Sequence, residues 1–170
     1  MAQYRGFKDV HEMNEKIINE HNKIAHKKDI TYILGDISMH NPEFYPLLDK
    51  MNGRKRIILG NHDLPQHVPE LMKYCEWIGG MEKYKGIFLT HAPIHPSELE
   101  YRVSYNIHGH IHEKFIKSET FQLGKGYIND KRYINVCCEV IDYKPKTLNE
   151  LIDGYEKFTK HRHLNNKKQL

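Results

Sequence analysis

Cysteine is scarce in this sequence: there are three among 170 residues, Cys75, Cys137 and Cys138. Two are adjacent, which makes a poor disulfide framework, and no Cys-x-x-Cys pair exists to hold zinc through thiolates. The segment around them, "YINVCCEVID", reads as a strand with buried, inert thiols. Long apolar runs are missing as well. None approaches the roughly 18 residues that a membrane-spanning helix needs. The opening "MAQYRGFKDV" has no apolar signal-peptide core. The expectation from these absences is a cytoplasmic chain with no membrane partner.

A large excess of one charge is also absent, the formal net charge being +4. Part of it lies in the basic tail, about residues 157–170, with Lys157, Lys160, Arg162, Lys167 and Lys168. Such a tail reads first as a solvated end, and second as a contact for nucleic-acid phosphates. Apolar residues make up 39% and charged residues 28%, which excludes a disordered composition. Residues 1–170 show no repeat, low-complexity tract or linker, so one domain is expected. What is abundant is histidine, thirteen in all, spread along the chain.

Apolar residues Val10, Met13, Ile17, Ile18 and Ile24 predict a helix over "FKDVHEMNEKIINEHNKIAH". "DITYILGD" predicts a short buried strand, and "NPEFYPLLDKMNG" a short helix with Phe44, Leu47, Leu48 and Met51 on one side. "RKRIILGNHD" is a second strand that breaks at Gly60. "VPELMKYCEWIGG" reads as a helix followed by irregular chain, and "KGIFLTHAP" as a third strand. "VSYNIHGHIH" and "RYINVCCEVIDY" read as later strands. "TLNELIDGYEKF" opens with the capping-box pair Thr147 and Glu150 before a helix. Alternating strands and helices, then mostly strands, predict a layered α/β domain.

Several of these strands stop at a glycine or a turn, and the next residues are Asp, Asn or His. They are Asp36 after "YILG", Asn61, His62 and Asp63 after "IILG", His91 after "IFLT", and His110 and His112 in "NIHGHIH". Ligands in open α/β sites come from loops beyond the carboxyl ends of strands. Each stretch between them is long enough for a crossover or hairpin to return to the same edge. Each piece alone is an ordinary turn or loop residue; the order of all of them is harder to explain by chance.

The segments "GDIS", "GNHD", "THAP" and "HGHIH" resemble the signature of the calcineurin-like metallophosphoesterases, of the small bacterial and phage type. The resemblance runs from about residue 4 to 152. It implies a four-layer α-β-β-α sandwich and two divalent cations, drawn from Mn, Fe, Ni or Zn. Asp36 would bridge them. Asn61, His91 and His110 would complete the second site, and His112 would serve the first. His62 would protonate or stabilise the leaving oxygen, a role that suits an imidazole. Asp63 would orient His62 or act as a turn carboxylate. The implied activity is hydrolysis of a phosphomonoester or phosphodiester, nucleotides included, by hydroxide generated at the cations. The rival expectation is a metal-binding module without catalysis, acting on nucleic acid through the basic tail. His108 is expected to be structural, and His40 and His95 to be solvated loop residues beside the motifs.

The family's opening strand, which ends in Asp-x-His and supplies further ligands, has no counterpart in these residues. The expected sandwich is therefore short of its first strand. The first cation would keep Asp36 and His112 alone. Three readings stay open: a start downstream of the natural one, a natural variant with one strongly held cation, or replacement by an early histidine such as His11.

Overall fold

A computed structural model describes residues 1–100, 103–122 and 126–152. The first long element is α1 (Val10–Ile24), which begins where the Asp9 side chain accepts the backbone N–H of Glu12 at 2.9 Å. Its apolar stripe is not its most buried face. Ile24 is 41% exposed, whereas Glu20 and His21 are buried. Lys16 and Lys23 pair with the Glu20 carboxylate, and His21 Nε2 meets Thr31 Oγ1 at 3.0 Å. Paired polar groups thus take the packed positions that spacing assigned to isoleucines.

Three parallel strands form one sheet in the order β1 (Ile30–Ile33), β2 (Arg54–Ile58) and β3 (Trp77–Gly79). β1 lies at the sheet's edge, and its first residue, Ile30, is 40% exposed, so the strand is only partly buried. Between β1 and β2 runs a 3-10 helix over Pro42–Lys50. Pro46 lies inside it and has no N–H to donate, which suits a tight, irregular helix better than an α-helix. The helix predicted at "VPELMKYC" shrinks to α2 (Val68–Leu71) and one further 3-10 turn.

The irregular chain expected after it is instead β3 followed by β4 (Met81–Tyr84). β4 pairs antiparallel with β5 (Ile87–Thr90), and β5 lies parallel to β6 (Tyr105–His108). A hairpin follows, β7 (Lys117–Gln122) with β8 (Gly126–Asn129), and then β9 (Tyr133–Asn135) joins β6 in parallel. The second sheet is therefore β4-β5-β6-β9. The strand expected through Cys137 and Cys138 ends early, at Asn135. There the Asn135 Oδ1 accepts the Cys137 N–H at 2.9 Å, and the chain turns. The final helix is described only as α3 (Leu148–Leu151), with the Thr147–Glu150 capping box formed as expected. The remainder of the stretch expected to be helical, and the basic tail, lie outside the described residues.

Ile58 of β2 shares a buried cluster with Ile87 and Leu89 of β5 and Ile107 of β6, so the two sheets meet through a common core. One residue earlier, Ile57 joins Tyr45, Leu48 and Leu71, the helical side of the first sheet. That swap of sides between neighbours is the two-residue period of a strand. Leu99, Val103 and Tyr133 form a third cluster with Phe88 of β5. The fold is mixed α/β. Because β1 to β3 run parallel to one another, as do β5, β6 and β9, each sheet gathers its strand ends along one edge.

Candidate metal centre

Two glycines bring the first strand ends together. A Cβ on Gly35 would lie 2.5 Å from the Gly60 nitrogen and 2.6 Å from His91 Nδ1. A Cβ on Gly60 would strike the Asp36 carboxylate. Only bare backbone permits this approach. Asp63 then ties the loops. Its buried carboxylate accepts the N–H groups of Asp36 at 2.7 Å, Ile37 at 2.9 Å and Gly60 at 2.8 Å. Of its two expected roles, Asp63 takes that of the turn carboxylate.

The result is a cluster that draws on both sheets. His91 Nε2 lies 3.0 Å from Asn61 Oδ1, 3.1 Å from His110 Nδ1 and 3.3 Å from Asp36 Oδ2. Donor atoms of Asp36, His91 and His110 all lie within 4.8 Å of one another, the arrangement a cation requires. Ligand atoms about 2.1 Å from a divalent ion, set at right or tetrahedral angles, are themselves some 3.0–3.4 Å apart. The side-chain distances already match that spacing.

Tautomer chemistry sharpens the point. His91 Nδ1 lies 2.7 Å from the Leu34 carbonyl oxygen, to which it must donate. Neutral His91 therefore has a bare lone pair at Nε2, aimed at the acceptor oxygens of Asp36 and Asn61. A proton from His110 Nδ1 could satisfy that lone pair, but not the two oxygens. Positive charge is needed there. Burial opposes charging His91, yet the Asp36 carboxylate and the Leu34 carbonyl outweigh it and raise the pKa. Burial likewise opposes charge on Asp36, but His91 and the backbone N–H of His62 overcome it and lower its pKa. A divalent cation would supply the same charge and satisfy all four atoms. One carboxylate, one amide oxygen and two imidazoles form a donor set that suits a divalent cation.

Left-handed backbone occurs here too, as it does at Lys85, Asp142 and Tyr143. Asp36, His110 and His112 have φ of +54°, +69° and +53°, the left-handed region that non-glycine residues seldom adopt. Such conformations persist where surrounding structure holds them, and they cluster at functional sites.

No protein-family model matches the chain. Uncharacterized protein MJ1445 of Methanocaldococcus jannaschii is 34% identical over 160 residues, covering 90% of this chain and 81% of its own length. This chain belongs to the MJ1445 family. The crystal structure of the Protein of Unknown Function AQ665 from Aquifex aeolicus shares the fold, with a TM-score of 0.57. It is 24% identical and matches 84% of this chain and 85% of its own.

In this member of the MJ1445 family, the remaining residues singled out from sequence fall in different places. His62 stands beside the cluster: its backbone N–H donates to Asp36 Oδ1 at 2.9 Å. Its ring Nδ1 meets His40 Nε2 at 3.2 Å, with Asp63 engaged elsewhere. His40, expected to be solvated, is exposed but in contact, and has φ of +61°. His112 is not part of the Asp36–His91–His110 group; its Nδ1 lies 2.7 Å from Glu139 Oε1. His108 is buried against Tyr133, as a structural residue should be. His95 caps the 3-10 helix at Pro96–Leu99. His11 rests against Phe44 rather than near the cluster. Among the described residues, no helix is long and apolar enough to cross a membrane.

Sequence reading missed Glu139, Arg5 and the contact of His40 with His62. Glu139 was hidden in a segment that reads as a strand. The thiol beside it, Cys137, has its pKa pushed up to about 11, by burial first and by the Glu139 charge next, which agrees with an inert thiol.

Proposed function

We propose that this chain is a metal-dependent phosphoesterase of the calcineurin-like type, acting on a phosphomonoester or phosphodiester. The observation that supports it is the convergence of Asp36, Asn61, His91 and His110 around one point. Two sheets with a shared core and a helical layer on the first sheet agree with a four-layer α-β-β-α sandwich.

Divalent cations bound there would polarise a phosphoryl oxygen and raise the acidity of an attacking water. The protein's own residues do the rest. Asp36 supplies the negative charge that retains the ions, and neutral Asn61 leaves net positive charge for a phosphate. His62, fixed by its backbone to Asp36, would be the group to give the leaving oxygen a proton. His40 supports the His62 ring through Nδ1, which turns Nε2 away from that contact. A cleft of about 530 Å³ adjoins His91 and His110. Leu59, Met81, Ala92, Pro93 and Ile94 line it, with no lysine or arginine, and it suits the organic part of an ester such as a nucleotide base.

The test is hydrolysis of bis-p-nitrophenyl phosphate with added manganese. Wild type should turn over, His91→Ala should lose a manganese-binding event and not turn over, and His62→Ala should bind manganese normally but lose most of its kcat. Equal rates for all three would overturn the reading. A non-catalytic metal-binding module is the alternative, and the position of His112 outside the group favours it. One manganese per chain with no turnover would support that module.

A further inference from the structure

The cluster around Glu139 has no place in the chemistry described so far. Glu139 follows β9, Arg5 lies in the first 3-10 turn, and His112 lies in the loop after β6. The Glu139 side chain is only 9% exposed. One of its oxygens, Oε1, lies 2.7 Å from His112 Nδ1, and the other, Oε2, lies 2.8 Å from Arg5 Nη2. The Arg5 contact is a charge pair without hydrogen-bond geometry, since Oε2 has no hydrogen-bond partner. A buried carboxylate thus faces one cation and one imidazole.

The His112 loop is braced from the same side. Asn135 Nδ2 donates to the His112 carbonyl at 2.5 Å and to the Lys114 carbonyl at 3.0 Å, while its Oδ1 holds the Cys137 N–H. The backbone of His112 is in the left-handed region, so its ring direction is set by these contacts and not by local preference.

A carboxylate that accepts from one imidazole nitrogen leaves the other nitrogen without a proton. That is how histidine ligands are commonly prepared for metals, and loss of the carboxylate weakens binding by about 10–100-fold. We propose that Glu139, anchored by Arg5, is a positioning residue that fixes His112 in the Nδ1–H tautomer and presents its Nε2 to a second divalent cation beside the Asp36–His91–His110 group. This rests on the metal-centre reading above, and it makes a turn of the N-terminal segment part of the site's support.

The test has two readouts, neither of which is catalysis. In metal-free protein labelled with 15N-histidine, above the imidazole titration range, the signal lost in His112→Gln should be an Nδ1–H tautomer. Glu139→Gln, which keeps an acceptor oxygen, should retain that tautomer, and Glu139→Ala should lose it. Manganese calorimetry on wild type should show two binding events. Glu139→Ala should weaken one of them by about 10–100-fold, with the event abolished by His91→Ala unchanged. Arg5→Ala should weaken the same event by less. Where Glu139→Ala fails to fold, Glu139→Gln carries the test, with a smaller loss of the same event. An Nε2–H tautomer for His112 in wild type, a single manganese event, or events insensitive to Glu139 would each overturn the proposal. Two intact events with no hydrolysis would sink the phosphoesterase reading and leave this one standing.

Discussion

Two polar clusters join the sheets, and their charges close differently. In the first, Arg56 of β2 donates to Glu76 at 2.8 Å, to the Tyr32 hydroxyl of β1 at 3.1 Å and to Glu82 of β4 at 3.3 Å. Tyr32 donates to Glu82 in turn, at 3.0 Å. The guanidinium faces two carboxylates, although Glu82 Oε2 is left without a hydrogen-bond partner, and its pKa is raised by the Glu76 bond first and by Tyr32 next. In the second, Asp36 and Asn61 present oxygens to His91, whose Nδ1 proton is already committed to Leu34. The first cluster carries its own cation, Arg56, within the chain. The second is complete only with a proton or cation added. Burial and polarity are common to both, so neither marks a site; the unfilled need for charge does.

The sharpest break between the clusters is metal binding. Asp36→Asn should weaken manganese by at least about 100-fold in calorimetry, more than any supporting residue would. Arg56→Met should leave it unchanged. Next in size is Asp63→Ala. It strips the acceptor from three backbone N–H groups, so chemical denaturation should show a loss of about 3 kcal/mol or more. Metal affinity should fall with it, as the two loops lose their tie.

A pH series sharpens the comparison further. His91 has a raised pKa, so its bond to Asp36 stabilises fully below the ordinary value of 6.5 and is lost as pH rises through the folded-state value. Asp36 has a lowered pKa, so its share is present above 3.8 and is lost as pH falls through its folded-state value. The Tm advantage of metal-free wild type over His91→Gln should therefore be greatest between 3.8 and 6.5 and fade above that window. Manganese should reverse the upper trend, because it needs the unprotonated imidazole. The smallest effect belongs to the closed cluster. Arg56→Met should change the denaturation midpoint least of these variants, since the pair is partly solvated.

Much of the second cluster was legible from local text. Asp36, Asn61, His91 and His110 each follow a short apolar run with a glycine or turn, and that pattern survives without tertiary information. The parallel strands then carry them to one edge. Other features were decided by packing. Glu20 and His21 are buried in α1 because lysines and Thr31 satisfy them, which hydrophobic spacing cannot anticipate. "YINVCCEVID" has the composition of a strand throughout, yet Asn135 captures the next N–H and ends it. Glu139 therefore leaves the sheet and reaches His112. β3 and β4 are three and four residues long, too short for their period to show.

The glycine contact between the strand ends has a practical corollary for saturation mutagenesis. Gly35 and Gly60 have no side chain to perform chemistry or carry charge, but any side chain at either would force the loops apart. Alleles at these two codons should score as badly as those at Asp36. A tolerance map on its own would rank them as reactive groups, and only a separate assay of cation uptake by each purified variant, set beside its folding, would tell a spacer from a participant.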